Sequence, residues 1–164
     1  MSDVWVVNAS PLILLGKIAR LDLLFRLAPR VVIPEGVAAE LRAGPSADAA
    51  RVWVEGVGAK AVTAVEQVDS VVAAWDLGLG ESHVLTLCRS LPDGTAILDD
   101  RAARTCAKAL GVRVLGTVAL LVLAKRKRVI TEVKPLLENL LDQGIRLDAV
   151  VIETALRLAE ERPH

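Results

Sequence analysis

Short apolar runs alternate along this chain with longer stretches in which apolar side chains recur every three or four positions. Val4-Trp5-Val6-Val7 is continuous, apolar and rich in β-branched residues, the pattern of a strand buried on both faces. It runs into Asn8-Ala9-Ser10-Pro11, where Ser10 suits a helix N-cap and Pro11 the first helical position. A helical stripe follows through Leu12, Leu15 and Ile18, and a second through Leu21, Leu24 and Phe25 stops at Pro29. Val31-Val32-Ile33 predicts a second strand, and Pro34-Glu35 opens a helix carrying Val37, Glu40 and Leu41. Further helices are expected over 47–54 and 71–77, with a third strand over 59–65 between them. Glu81 starts a helix after the Gly78-Leu79-Gly80 break. Ala96-Ile97-Leu98 and 112–115 predict the last two strands, separated by a helix over 102–110. An apolar helix from Thr117 to Ala124 and two amphipathic helices, over 132–141 and 148–161, complete the chain.

Strands that alternate with helices predict an α/β fold, a parallel sheet of about five strands covered on both faces. No linker or low-complexity segment divides the sequence, so residues 1–164 are expected to form one domain. Sites in open α/β sheets form beyond the carboxyl ends of the strands. Asn8 and the Asp99–Asp100 pair each follow a strand directly, and Glu81 sits at a helix start that can reach the same edge. Glu40 reaches it if its helix leans over the site. Carboxylates gathered from distant segments repel one another unless a cation lies between them, and oxygen donors suit a hard divalent ion such as Mg²⁺ or Mn²⁺. Each residue also has a plainer reading. Asn8 can end a turn, Ser10 can cap a helix, Glu40 can face solvent, and Glu81 or the aspartates can serve helix N-termini.

Composition narrows the picture. Twenty basic and twenty acidic residues leave no net charge, and aromatics are 2% of the chain. There is no global basic field to attract nucleic acid and no stock of rings on which bases would stack. Nucleic-acid contacts therefore fall to local groups: Arg101 and Arg104 are the better placed, and the run Lys125-Arg126-Lys127-Arg128 reads first as cations favoured at a helix C-terminus and second as a phosphate contact. Cys88 and Cys106 lack metal-ligand spacing and read as buried thiols. His83 reads as a surface or partner-facing residue and not as a metal ligand. No leader is recognisable, and the longest apolar run, Val114 to Ala124, falls short of the ~20 residues that span a bilayer. A cytoplasmic protein without membrane attachment is the expectation.

Five segments, VVNASPLILLGKIARLDLL (6–24), VVIPEGVAAEL (31–41), LGLGESHVLTLC (77–88), AILDDRAARTCAKALGVRVLGTVALLVLAKRKRVI (96–130) and VKPLLENLLDQGIRLD (133–148), occur in the order of a known family. The chain resembles the PIN-domain superfamily, in a branch related to VapC-type toxins and long catalogued as a domain of unknown function. The resemblance implies a three-layer α/β/α fold and an acidic site for Mg²⁺ or Mn²⁺. It implies cleavage of single-stranded or structured RNA, and, in a toxin–antitoxin setting, an antitoxin that blocks the site. A homodimer is also implied. By position, Asn8 stands where the family places its first Asp. Glu40 and Glu81 match the second and third acids, and Asp100 with Asp99 the fourth. Ser10 matches a small polar residue near the metal. Glu40, Glu81 and Asp100 are the expected catalytic carboxylates, with Asp99 beside them in the ligand set and Arg101 and Arg104 toward RNA. The amide at position 8 sets a second reading beside the first: a weak or inactive PIN module that binds RNA or a protein partner.

Overall fold

The computed structural model describes residues 4–162. Strand β1 (Val4–Val7) is buried at every position, as its unbroken apolar run requires. Helices α1 (Ala9–Lys17) and α2 (Asp22–Leu27) lead to β2 (Arg30–Pro34), and α3 (Glu35–Arg42) and α4 (Ala49–Glu55) lead to the two-residue strand β3 (Val62–Thr63). Next come α5 (Ser70–Ala73), α6 (Leu79–Ser90), β4 (Gly94–Ile97), α7 (Arg101–Ala109) and β5 (Arg113–Leu115). Helices α8 (Thr117–Arg126), α9 (Lys134–Asp142) and α10 (Ala149–Leu158) close the chain.

All strand pairs are parallel, in the order β3-β2-β1-β4-β5, with Val6 opposite Val32 on one side and opposite Ala96 on the other. Helices flank this sheet, which is the α/β architecture expected from the sequence. The chain builds outward from β1 through β2 to β3, then returns to the far side of β1 as β4. The strand order therefore reverses between β1 and β4, and a crevice opens at such a reversal beyond the carboxyl ends of the two strands. Asn8 is the residue that follows β1, and its N–H continues the ladder by donating to the Ile97 carbonyl at 3.1 Å.

The core is aliphatic, centred on Leu12, Leu15, Leu24, Ile33, Leu85, Ile97, Leu98, Leu120 and Leu121, all fully buried. Two expected elements shrink. The third strand begins with a 3₁₀ turn at Ala59–Ala61 and pairs only at Val62–Thr63, because it lies at the sheet edge with β2 as its single neighbour. The helix expected over 71–77 is a single turn, capped by Asp69 and ended before Asp76, whose φ of 53° lies in the left-handed region. Ser10 is not the cap of α1. The helix starts at Ala9, so Asn8 holds the N-cap position and Ser10 lies inside the first turn.

His83 departs from its expected surface position. It is buried, and its Nδ1 accepts the Gly36 N–H at 3.0 Å, tying α3 to α6. A Cβ at position 36 would lie 2.6 Å from that nitrogen, so only glycine permits the contact. Gly36→Ala is expected to lose about 1–3 kcal/mol of stability by overpacking, read as a lower denaturation midpoint. Burial holds the His83 imidazole below its ordinary range, against an opposing pull from Glu35. The unfolded chain thus takes up this proton first as pH falls. Stability should decline as pH drops below about 6.5, and the decline should be shallower in His83→Leu when unfolding is followed between pH 7.5 and 5.5.

Candidate metal and nucleic-acid site

An N-cap side chain ordinarily accepts the N–H of the second or third helical residue. In α1 the third residue is Pro11, which has no N–H. The Asn8 side chain makes no cap bond and turns to α6, where its Nδ2 donates to Glu81 Oε1 at 3.4 Å. The contact is long, but Asn8 is almost wholly buried and its amide is held in place. Asn8 therefore faces the site and does not bond to its own backbone.

Glu81 lies in the first turn of α6, whose N-cap is Gly78 and whose dipole favours a carboxylate there. Its Oε2 folds back over Gly78. A Cβ at position 78 would stand 2.6 Å from that oxygen. Gly80, one residue earlier on the helix, is buried where three segments meet. A Cβ added to it would lie 3.3 Å from Asn8 Oδ1, 3.5 Å from Val37 and 3.7 Å from Glu40 Oε1. Glu40 is in the last turn of α3, three residues after Val37 and so on the same face. The α3–α6 contact through Gly36 and His83 is what leans that face over the site. Three of the expected residues, Asn8, Glu40 and Glu81, thus converge around one glycine. Burial, and after it the charge of Glu81, holds the Glu40 carboxyl above its ordinary range.

Gly78→Ala should leave the fold intact, because the only atom in the way is the mobile end of Glu81. It should instead swing that carboxylate away from Asn8. We expect near-parental thermal stability with divalent-metal affinity reduced on the order of 10-fold, the lower range for a change that disturbs a ligand's orientation; a melting curve and a metal titration on the same sample check both.

A second group forms beyond β4. Both Asp99 oxygens are engaged by Thr117 at the start of α8: Oδ1 accepts its N–H at 2.8 Å and Oδ2 its hydroxyl at 2.6 Å. Asp100 turns the other way and caps α7, its Oδ2 accepting the Ala103 N–H at 2.9 Å. Asp99 is therefore the member of the pair that lines the neighbouring clefts. One is a largely apolar cleft of about 650 Å³, bordered by Ser10, Asp99 and Thr117 at one end and by Val151 and Leu158 of α10 at the other. Arg104 borders the same cleft, and its Nη1 and Asp99 Oδ1 both approach Gly116. Arg101 is exposed at the first position of α7.

Thr117 escapes a reading of the sequence alone, although a hydroxyl residue just beyond a strand, at the edge where Asn8 and Asp99 lie, is a readable signal. Two cations of the Lys125–Arg128 run are engaged within the fold. Lys125 pairs with Glu161 at 3.1 Å and the Arg126 Nε donates to the Leu158 carbonyl, so these cations join α8 to the end of α10. Cys88 and Cys106 are buried free thiols, and burial pushes Cys88 up to about 12, which leaves it inert as a nucleophile.

A family model from a branch catalogued as a domain of unknown function, and described as a PIN domain, matches residues 4–161. The chain belongs to the PIN-domain family. No curated protein matches it. The family match and the parallel five-stranded sheet agree, and a PIN domain is a nuclease-type fold. Among the described residues no helix is long and apolar enough to cross a membrane.

PIN domains generally use divalent metal ions. The donors gathered here are all oxygens, the chemistry of a hard cation. Glu40 and Glu81 are close enough that one raises the pKa of the other, and a cation between them would relieve that repulsion. The residues fit such an ion in kind but are sparse in charge. Among the described residues no three acidic, histidine or cysteine side chains stand together at metal-binding spacing: position 8 contributes a neutral amide, and neither Asp99, held by Thr117, nor Asp100, which caps α7, makes a third acid beside Glu40 and Glu81.

Proposed function

We propose that this PIN domain is a metal-dependent ribonuclease that hydrolyses phosphodiester bonds of single-stranded or structured RNA and acts as the toxin of a toxin–antitoxin pair. The observation that carries the reading is the convergence of Asn8, Glu40 and Glu81 around Gly80 at the β1–β4 reversal, with Glu40 held above its ordinary range by burial and by Glu81. Glu40, Glu81 and the side-chain oxygen of Asn8 would hold Mg²⁺ or Mn²⁺, with Asp99, in the orientation Thr117 imposes, as the further acid of the set while Asp100 caps α7. The ion would supply Lewis-acid polarisation of the phosphate and a hydroxide from bound water. Ser10 borders the cleft that Asp99 and Thr117 line, and Arg101 and Arg104 supply positive charge for the phosphate backbone. An antitoxin and a second copy of the chain are the proposed protein partners, and the cytoplasm the proposed setting.

A second reading rests on one observation, the amide at position 8. With one negative charge fewer, the domain would bind RNA or a protein partner and cut slowly or not at all. Incubation with labelled single-stranded and hairpin RNA in Mn²⁺, and in parallel with chelator, separates the two. We expect cleavage that the chelator stops. Saturable binding without cleavage in Mn²⁺ would instead establish the binding module.

A further inference from the structure

A second cleft, of about 420 Å³, begins at Asp99 and runs along the outer side of α7 beside β5, the free edge of the sheet. Its volume equals roughly a dozen water molecules, room for a strand's backbone with its hydration. One wall carries Arg101, Arg104 and Lys108, spaced three and four residues apart and so on one face of α7. The floor is Val112 and Val114. From the first of these cations to the last the helix advances about 10 Å, so they form a row and not a point. The opposite face of α7, Ala103, Cys106 and Ala107, is buried in the core. Segregation this sharp fixes the three charges toward the cleft.

Several cations elsewhere on this chain are neutralised locally. Arg20 and Arg26 pair with Asp22, Arg51 with Glu55, Arg89 with Asp69 and Lys125 with Glu161. Helix α7 contains no acidic residue, and among the described residues none of its three cations makes an ion pair within 4.0 Å. Thr105, also on this wall, already donates its hydroxyl hydrogen to the Arg101 carbonyl, so the cations alone are left to meet an anion. In a chain with no net charge, three unpaired cations in a row, leading away from the acidic residue Asp99, describe a surface shaped for a linear polyanion.

We propose that this cleft is a phosphate track: Arg101, Arg104 and Lys108 hold the sugar–phosphate backbone of one nucleic-acid strand as it leaves the Asp99 end of the site along the β5 edge. The identity of the strand as RNA rests on the ribonuclease reading; the track itself does not. Among the described residues no aromatic side chain lines the cleft, so contact is through phosphates and is indifferent to base sequence. Lys108 is a binding residue beyond the two arginines assigned above.

The test is fluorescence anisotropy of a labelled oligouridylate with the full chain, in chelator so that nothing is cut, across a salt series. The variants are Arg101→Gln, Arg104→Gln and Lys108→Gln, singly and together, with Lys60→Gln near β3, at the opposite sheet edge, as control. All three track residues are exposed, so the fold should survive, which a melting curve confirms. We expect the triple variant to bind at least ~10-fold more weakly. Its logarithmic salt dependence should flatten by ~0.7 for each phosphate that is no longer neutralised, about 2 for all three. The control should bind like the parent. Parent-like affinity and slope in the triple variant would overturn the track, as would a parent that fails to bind the oligonucleotide at low salt. A parent that binds through these cations but does not cut RNA in Mn²⁺ would sustain the track while removing the nuclease. A parent that cuts while the triple variant binds normally would do the reverse.

Discussion

Glu81→Gln is expected to lower metal-dependent RNA cleavage on the order of 100-fold or more while leaving the folded state intact. The substitution keeps size and shape and removes one charge. Weakening the surroundings of a metal ligand already loses about 10–100-fold in affinity or activity, so removing a ligand's charge should do at least as much. Stability without metal should not fall, because Glu81 is one of the two causes that raise the Glu40 carboxyl and the repulsion between them disappears. Glutamine can still accept a hydrogen bond from the Asn8 amide. Cleavage rates in Mn²⁺ and melting temperatures in chelator, measured on parent and variant, check both halves. A variant that cuts as fast as the parent would remove Glu81 from the site.

Asn8→Asp has the opposite sign in its two readouts. Position 8 is almost wholly buried and touches Glu81, so a third carboxylate there is desolvated and meets like charge. In chelator this should destabilise the protein by about 1–3 kcal/mol. With Mn²⁺ present the same carboxylate becomes a ligand. We expect metal affinity to rise on the order of tenfold or more, and the melting temperature to recover by more than it does in the parent, because a ligand bound only by the folded state stabilises it. Cleavage should rise with affinity. An aspartate variant whose stability and metal response both match the parent would mean that position 8 lies outside any metal site.

The fold is legible in the sequence wherever burial is two-sided. β1, β2 and β4 are near-continuous apolar runs because helices flank the sheet, and such runs leave few alternatives. β3 and α5 are the poorly legible elements. Each is short, and its length is decided by tertiary neighbours: one strand partner for β3, and a left-handed residue at Asp76 for α5. The site is legible as a set of residue types at strand ends, but not in its internal geometry. Nothing local says that Pro11 denies Asn8 one of its usual capping partners, or that Gly36 and His83 press α3 onto α6 and bring Glu40 to Gly80. The aspartate pair shows the same limit. Two adjacent acids before a helix are equivalent on paper, and only the fold places Thr117 against Asp99 while the N-terminus of α7 takes Asp100. His83 reads wrongly as a surface residue because its partner, a backbone N–H, is 47 positions away in sequence.

The central claim is that Asn8, Glu40 and Glu81 together hold a catalytic divalent ion. A calorimetric Mn²⁺ titration of the parent, Glu40→Gln and Glu81→Gln, with RNA cleavage followed on the same samples, tests it most directly. We expect saturable binding in the parent, binding at least ~10-fold weaker in each variant, and loss of cleavage in step with loss of binding. Equal Mn²⁺ affinity in all three proteins, or no binding in the parent, would contradict it.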